Sequence, residues 1–159
     1  MTKPSPSLQP LEGWFTEQGW VPADFQIKTW QAYLNGQSGL IHSATGSGKS
    51  LAAWGGPLLS GLARPGSGLR VLWITPLRAL ANDTVTSLTA AARGIGLNWR
   101  IEKRTGDTSS SIRNKQRTHP PETLVTTPES LSLLLSYRHA EKRFGRLEAV
   151  IVDEWHELL

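Results

Sequence analysis

The chain has 159 residues, 38% of them hydrophobic and 19% charged, so it can form a sizeable core and is too apolar for a disordered protein. It has no cysteine, which excludes disulfides and thiolate metal sites, and no apolar run near the ~20 residues that span a bilayer. Four scattered histidines argue against structural zinc, and the net charge of +4 permits nucleic-acid binding without requiring it. We therefore expect a cytoplasmic protein.

The order of apolar runs and helical patterns predicts an α/β fold. Segment 1–12 is rich in proline and serine and predicts a flexible N-terminal tail, whereas residues 13–159 predict one domain. Continuous apolar strands that alternate with helices are typical of a mainly parallel sheet covered on both faces. The predicted strands are 39–42, 70–75, 99–103, 123–126 and 149–153.

The loop 43–50, Ser-Ala-Thr-Gly-Ser-Gly-Lys-Ser, lies between the first predicted strand and a helical pattern. Lys49 supplies a point charge for phosphates and Ser50 a hydroxyl for Mg²⁺. Gly46 and Gly48 let backbone N–H groups approach phosphate oxygens at a helix N-terminus, which favours anions. The loop begins with serine where the G-x-x-x-x-G-K-[ST] pattern has glycine, so a flexible surface turn is the alternative. The order of strand, loop and helix favours a nucleotide site.

Two adjacent carboxylates, Asp153 and Glu154, end the last predicted strand. In a nucleotide site Asp153 would hold Mg²⁺, and Glu154 would orient and deprotonate the attacking water. Alone, the pair is better explained as a solvated turn. Together with Lys49 it predicts a nucleoside triphosphatase.

Two predicted strands end alike, in Thr75-Pro76 and in Thr127-Pro128. Threonine at the N-cap and proline at the first helical position predict that a helix starts at each turn. Good capping is the simpler explanation of one such turn, but two at one edge of a sheet could grip successive phosphates of a nucleic-acid strand, with Arg78 adding a charge. Basic residues also concentrate in 93–117, where a solvated face and a nucleic-acid surface both stay open.

In their order along the chain these motifs resemble the first motor domain of a superfamily 2 DExH-box helicase, which has a RecA-like P-loop NTPase fold. The matching segments are Gln26, 44–50, 75–81, 105–107, 127–130 and 153–156. The amino-acid sequence of these motifs is most similar to the Lhr group, particularly to bacterial ligase-associated DEXH-box DNA helicases. The similar segments are 13–15, 19–20, 126–131 and 153–159. The resemblance implies ATP-driven 3′-to-5′ translocation on single-stranded or partly duplex DNA, in DNA repair beside a DNA ligase and a nuclease.

The resemblance also implies roles for individual residues. Gln26 matches the residue that reads the adenine edge, with Gln31 as a rival by composition, and His156 matches the residue that couples the ATP and DNA sites. Asp153 and Glu154 match the magnesium carboxylate and the catalytic base. The nucleotide-binding motif corresponds to Thr45, Gly46, Ser47, Gly48, Lys49 and Ser50. The strand-contacting motifs contain Thr75, Pro76, Arg78, Thr105, Gly106 and Thr127.

Helicases of this superfamily continue with a Ser-Ala-Thr strand and a second motor domain whose arginines complete the ATP site. The sequence ends at Leu159, so we expect a C-terminally truncated first domain with exposed strand edges, no second motor domain, little ATPase and no unwinding activity of its own. An RNA helicase motor fragment is one alternative, because phosphate contacts do not separate DNA from RNA. A non-catalytic nucleotide or nucleic-acid-binding module is the other.

Overall fold

The computed structural model describes residues 5–159. The helices in this part of the chain are α1 (Gln9–Glu17), α2 (Asp24–Leu34), α3 (Lys49–Ala63), α4 (Ala81–Gly94), α5 (Ser110–Thr118), α6 (Pro128–Ser136) and α7 (Ala140–Phe144). The strands are β1 (Val71–Ile74), β2 (Ile101–Arg104), β3 (Thr123–Thr126) and β4 (Ala149–Val152). None of the described helices is long and apolar enough to cross a membrane.

The chain divides into two compact units. The first comprises the residues up to Gly66 together with Ala91–Leu97, and the second comprises Ser67–Ala90 together with Asn98–Leu159. Helices α1, α2 and α3 lie in the first unit, and all four strands lie in the second.

The second unit contains a parallel sheet with the strand order β2-β3-β1-β4. Val71 of β1 is opposite Thr123 of β3 on one side and Ala149 of β4 on the other, and Ile101 of β2 is also opposite Thr123. The predicted α/β fold with a parallel sheet is confirmed. Because the strands are parallel, the segments that follow them all begin at the same edge of the sheet.

The apolar strands form the core of the second unit because β1 and β3 are central and are buried along their whole length. The cluster of buried side chains consists of Leu69, Leu72, Ile74, Leu124 and Leu134. Strand β4 is different, because it lies at an edge of the described sheet and its residue Val150 is 54% exposed. Four of the five predicted strands are thus present, with ends shifted by at most two residues.

Aromatic side chains form the core of the first unit. Trp14, Phe15 and Trp20 pack edge to face with ring centres 5.6–5.8 Å apart, and Phe15 packs in the same way on Trp30 at 5.4 Å. Edge-to-face contact places positive ring edges against negative ring faces. The Gly-Trp segments near the N-terminus therefore serve packing.

The predicted flexible tail over 1–12 is wrong from Gln9 onward. Helix α1 begins there, and Leu11, Trp14 and Phe15 lie on one face at helical spacing and are buried. Residues 1–4 of the predicted tail lie outside the described residues.

The predicted strand 39–42 is also wrong, because this segment is irregular and Leu40 is 69% exposed. A strand needs a neighbour that takes up its backbone hydrogen bonds. None of the strands described within residues 5–159 pairs with 39–42. The apolar pattern of residues 39–42 therefore does not ensure that a neighbouring strand is available.

Candidate functional site

The predicted phosphate loop, residues 43–50, owes its shape to two glycines. Gly46 and Gly48 have φ angles of 77° and 89°, in the left-handed region that other residues avoid. Gly48 is the N-cap of α3, so Lys49 and Ser50 occupy the first helical turn. The N–H groups of such a turn have no partner inside the helix and attract anions. The predicted loop-to-helix transition is present.

Gln26 lies against this loop. Its side chain is buried, its Oε1 accepts a hydrogen bond from the Ala23 N–H at 2.9 Å, and its Nε2 donates one to the Gly48 carbonyl at 3.1 Å. A Cβ on residue 48 would lie 2.5 Å from that Nε2. Gly48 is therefore required both by its φ angle and by its contact with Gln26.

Close packing of α2 on α3 holds Gln26 in place, and this packing was not predicted from the sequence. A Cβ on Gly55 or on Gly56 of α3 would overlap with the ring of Trp30 or of Tyr33 on α2. The Trp30 indole N–H also donates to the Leu51 carbonyl at 2.9 Å. The adjacent glycines 55 and 56 inside a helical pattern were the available signal, since glycine destabilises a helix unless a close neighbour requires it.

The residues of this loop fit a phosphate group. The Ser47 hydroxyl oxygen is buried and has no hydrogen-bond partner within residues 5–159. A buried polar atom without a partner is destabilising, and a bound phosphate oxygen would satisfy it. Together with the ammonium group of Lys49 and the first-turn N–H groups of α3, it makes a donor set suited to an oxyanion.

The DExH segment, residues 153–156, follows β4 directly in the second unit. The Asp153 N–H donates to the Ile74 carbonyl at 2.9 Å, which fixes the backbone beside β1. Glu154 has a φ of 47°, a strained conformation for a residue with a side chain. The His156 Nε2 lies 3.2 Å from the Glu154 carboxylate and 3.5 Å from that of Glu157. The predicted base and the predicted coupling residue are therefore in contact.

No group of three or more His, Cys, Asp or Glu residues suited to a metal is found within residues 5–159. Mg²⁺ in nucleotide sites is held by one or two protein ligands together with water and the phosphates themselves. The assignment of Mg²⁺ to Ser50 and Asp153 stays a prediction.

The turn after β1 does not start a helix, so this prediction is wrong. The Thr75 N–H donates to the Thr126 carbonyl at 2.9 Å, the chain bends at Pro76, and Leu77 is extended and not helical. A short 3₁₀ turn over Arg78–Leu80 then leads into α4. The backbone bond to β3 overrides the local capping signal of Thr75-Pro76.

The turn after β3 does start a helix, as predicted. The Thr127 hydroxyl accepts a bond from the Ser130 N–H at 3.4 Å, and Pro128 is the first residue of α6. Thr127 and Thr75 are nearly buried. Any contact with a bound strand would therefore come from the backbone of these turns.

The turn after β2 brings two predicted strand-contacting motifs together. The exposed Arg78 side chain pairs with Asp107 at 3.2 Å, and Gly106 lies beside the same guanidinium group. Thr105 is buried, and its N–H and hydroxyl are used within its own turn. Arg78 and Gly106 are thus the surface groups of this region, and Thr105 shapes the loop.

Comparison with known proteins identifies the family. The sequence profile of DEAD/DEAH box helicases matches residues 23–159. The chain belongs to the DEAD/DEAH box helicase family. It is 38% identical over 156 residues to the Lhr helicase/probable uracil glycosylase of Mycolicibacterium smegmatis and 36% identical over 163 residues to the Lhr helicase/uracil glycosylase of Escherichia coli. Each match covers 90% of this chain and 10% of the relative, so the chain spans about a tenth of their length.

Solved helicase structures share the fold. The helicase Lhr of Mycobacterium smegmatis, bound to single-stranded DNA and AMP-PNP, superposes with a TM-score of 0.75 at 34% identity over 92% of this chain and 20% of that one. The helicase MrfA, bound to DNA and AMPPNP, gives a TM-score of 0.83 at 26% identity over 98% of this chain and 22% of that one. The RecA-like fold and the similarity to Lhr helicases are confirmed. The narrower likeness to ligase-associated helicases stays a prediction.

Proposed function

We propose that this chain forms the ATP-binding part of a DNA-translocating helicase motor. The observation that carries the proposal is the phosphate loop, in which Gly48 is fixed against Gln26 and the buried Ser47 hydroxyl lacks a partner. Lys49 at the start of α3 would hold the outer phosphates. Gln26 still has one N–H and one lone pair with which to read an adenine edge. Thr45, Gly46 and the loop backbone would complete the cradle.

The hydrolytic role falls to the DExH segment. Asp153 and Ser50 would hold Mg²⁺, which supplies charge neutralisation of the phosphates when bound. Glu154 would orient and deprotonate the attacking water, and His156, at 3.2 Å from it, is placed to sense that carboxylate. The strained backbone at Glu154 supports a functional role, because such strain persists where a site requires it.

The nucleic-acid strand would lie on the turns that follow the strands of the sheet. Arg78 and Gly106 present exposed groups, while Thr75, Pro76, Thr105 and Thr127 shape the backbone. We favour DNA because the similar Lhr helicase was solved with single-stranded DNA. The 3′-to-5′ polarity, the role in DNA repair, the ligase and nuclease partners and the cytoplasmic location are further predictions that rest on the resemblance.

The test uses the full-length protein and three variants. Lys49→Ala should abolish ATP binding, and Glu154→Gln should retain binding while hydrolysis stops. Arg93→Gln, an exposed change outside these segments, is the matched control and should leave both unchanged. Hydrolysis is timed with single-stranded DNA and with RNA of the same sequence. Stronger stimulation by RNA would favour an RNA motor, and nucleic-acid-dependent function that survives both site variants would favour a non-catalytic binding module.

A further inference from the structure

A cavity of about 900 Å³ lies in the second unit, lined by residues of β2, α5, the α6–α7 turn and α7. Its charged lining is entirely cationic and comprises Arg104, Arg113, Arg117, Arg138, Lys142 and Arg143. Within residues 5–159 none of these six side chains forms an ion pair with a carboxylate. None of them belongs to the helicase motifs, so the cavity is separate from the predicted site residues.

The cationic lining is built into the fold. Arg104 at the end of β2 is only 6% exposed, and its guanidinium carbon lies 6.0 Å from the centre of the Tyr137 ring. The Arg113 Nε is buried without a hydrogen-bond partner within residues 5–159, as is the Gln116 Oε1. The Arg113 Nη2 donates to the carbonyls of Thr105 and Gly106 at 3.1 and 3.3 Å, which ties the cavity to the turn after β2.

The positive charges repel one another. Burial lowers the pKa of Arg104, and the nearby charges of Arg143 and Arg113 lower it further. Burial lowers the pKa of Arg143 and the charge of Arg117 adds to that shift, whereas Tyr137 opposes the shift at both arginines. Like charges held close together in a partly buried space are unfavourable unless an anion offsets them. A bound anion would relieve this repulsion and supply an acceptor for the Arg113 Nε.

We propose that this cavity binds the phosphate backbone of a nucleic-acid strand, at a site next to the helicase motifs and outside them. Arginine guanidinium groups match phosphate oxygens with two parallel hydrogen bonds. Tyr137 adds an exposed aromatic ring, which suits a base attached to that phosphate. The Arg113 contacts with Thr105 and Gly106 make the cavity continuous with the motif turn. The inference rests on the proposed nucleic-acid-binding function and extends its footprint.

The test is the salt dependence of binding by the full-length protein without nucleotide. The double variant Arg117→Gln/Arg138→Gln removes two exposed cations of the lining, so folding should be unaffected. The matched control is Arg93→Gln/Lys115→Gln, which removes two exposed cations that do not line the cavity. Affinity for a fluorescent single-stranded oligonucleotide is measured by anisotropy over a range of KCl concentrations. Losing two phosphate contacts should reduce the slope of log K against log salt by about 1.4, and the control should reduce it by far less.

A variant of the motif surface separates failure of the cavity proposal from failure of the proposed function. Arg78→Ala probes the motif surface: if it weakens binding while the cavity double variant behaves like its control, the cavity proposal is overturned and the proposed function stands. If none of these variants changes binding, both are overturned.

Inorganic tripolyphosphate and Tyr137→Leu distinguish the source of the phosphate. A strand in the cavity predicts that Tyr137→Leu weakens oligonucleotide binding about fivefold or more and leaves tripolyphosphate binding unchanged. Tripolyphosphate binding that depends on Arg117 and Arg138, with unchanged oligonucleotide binding, would identify a free-polyphosphate site and overturn the proposal.

Discussion

Gly48→Ala should weaken ATP binding by two separable effects. Alanine at a φ of 89° is disfavoured by about 1 to 2 kcal/mol. The added Cβ would lie 2.5 Å from the Gln26 Nε2, and displacing that amide loses a hydrogen bond worth about 1 kcal/mol. The sum, about 2 to 3 kcal/mol, corresponds to a loss of roughly 30- to 150-fold in affinity if the nucleotide binds the loop in this conformation.

The assay is titration with a fluorescent ATP analogue, and Gly46→Ala is the control. Gly46 has a φ of 77°, but a Cβ there meets nothing within 4 Å. Only the backbone effect remains, so we expect a loss of roughly five- to thirtyfold. Circular dichroism of each variant checks that the helices persist.

A double-mutant cycle isolates the contact between the two residues. Gln26→Ala removes the atom that the new Cβ would meet, so Gly48→Ala should be less damaging in that background. Equal losses for Gly46→Ala and Gly48→Ala, or strict additivity with Gln26→Ala, would refute the reasoning.

The other predictions concern the stability of each unit. Gly55→Ala should destabilise the protein by about 1 to 3 kcal/mol in urea unfolding, because the added Cβ would overlap with the indole ring of Trp30. Gly13→Ala in α1 should instead stabilise it by about 0.5 to 1 kcal/mol, because a Cβ there meets nothing within 4 Å. The opposite order of stabilities would contradict the packing argument. Glu148→Gln removes the charge partner of the buried Arg70, which it meets at 2.8 Å, and should lower the thermal midpoint, while an unchanged midpoint would show that Arg70 does not need it. Thr127→Ala should remove about 1 kcal/mol by loss of the α6 cap, measured by urea unfolding, and a neutral result would contradict that cap.

Local chemistry was predictable wherever it depends on neighbours in the sequence. The α/β order, four strands and the loop before Lys49 followed from short apolar runs, paired glycines and a Lys-Ser start to a helix. The Thr127-Pro128 cap was predictable for the same reason, because its hydrogen bond spans three residues.

Features that depend on distant partners were not predictable. Segment 39–42 has a strand pattern but no neighbour in the described sheet, and Thr75 forms a backbone bond to β3 instead of capping a helix. Leu11 is buried although a proline-rich segment precedes it. In each case a long-range contact, or the lack of one, decided the outcome.

The sequence by itself determined the family, the glycine-rich loop before α3 and the acidic pair, because each depends on short runs of neighbouring residues. Only the tertiary structure decided that Gln26 fixes Gly48 and that Arg104, Arg113 and Arg143 share one cavity. These residues come from different helices and strands, and their spacing in sequence contains no information about that closeness. The basic residues of segment 93–117 form one basic stretch in the sequence. Folding places some of them, such as Arg113, in the lining of the cavity and leaves others, such as Lys115, outside it.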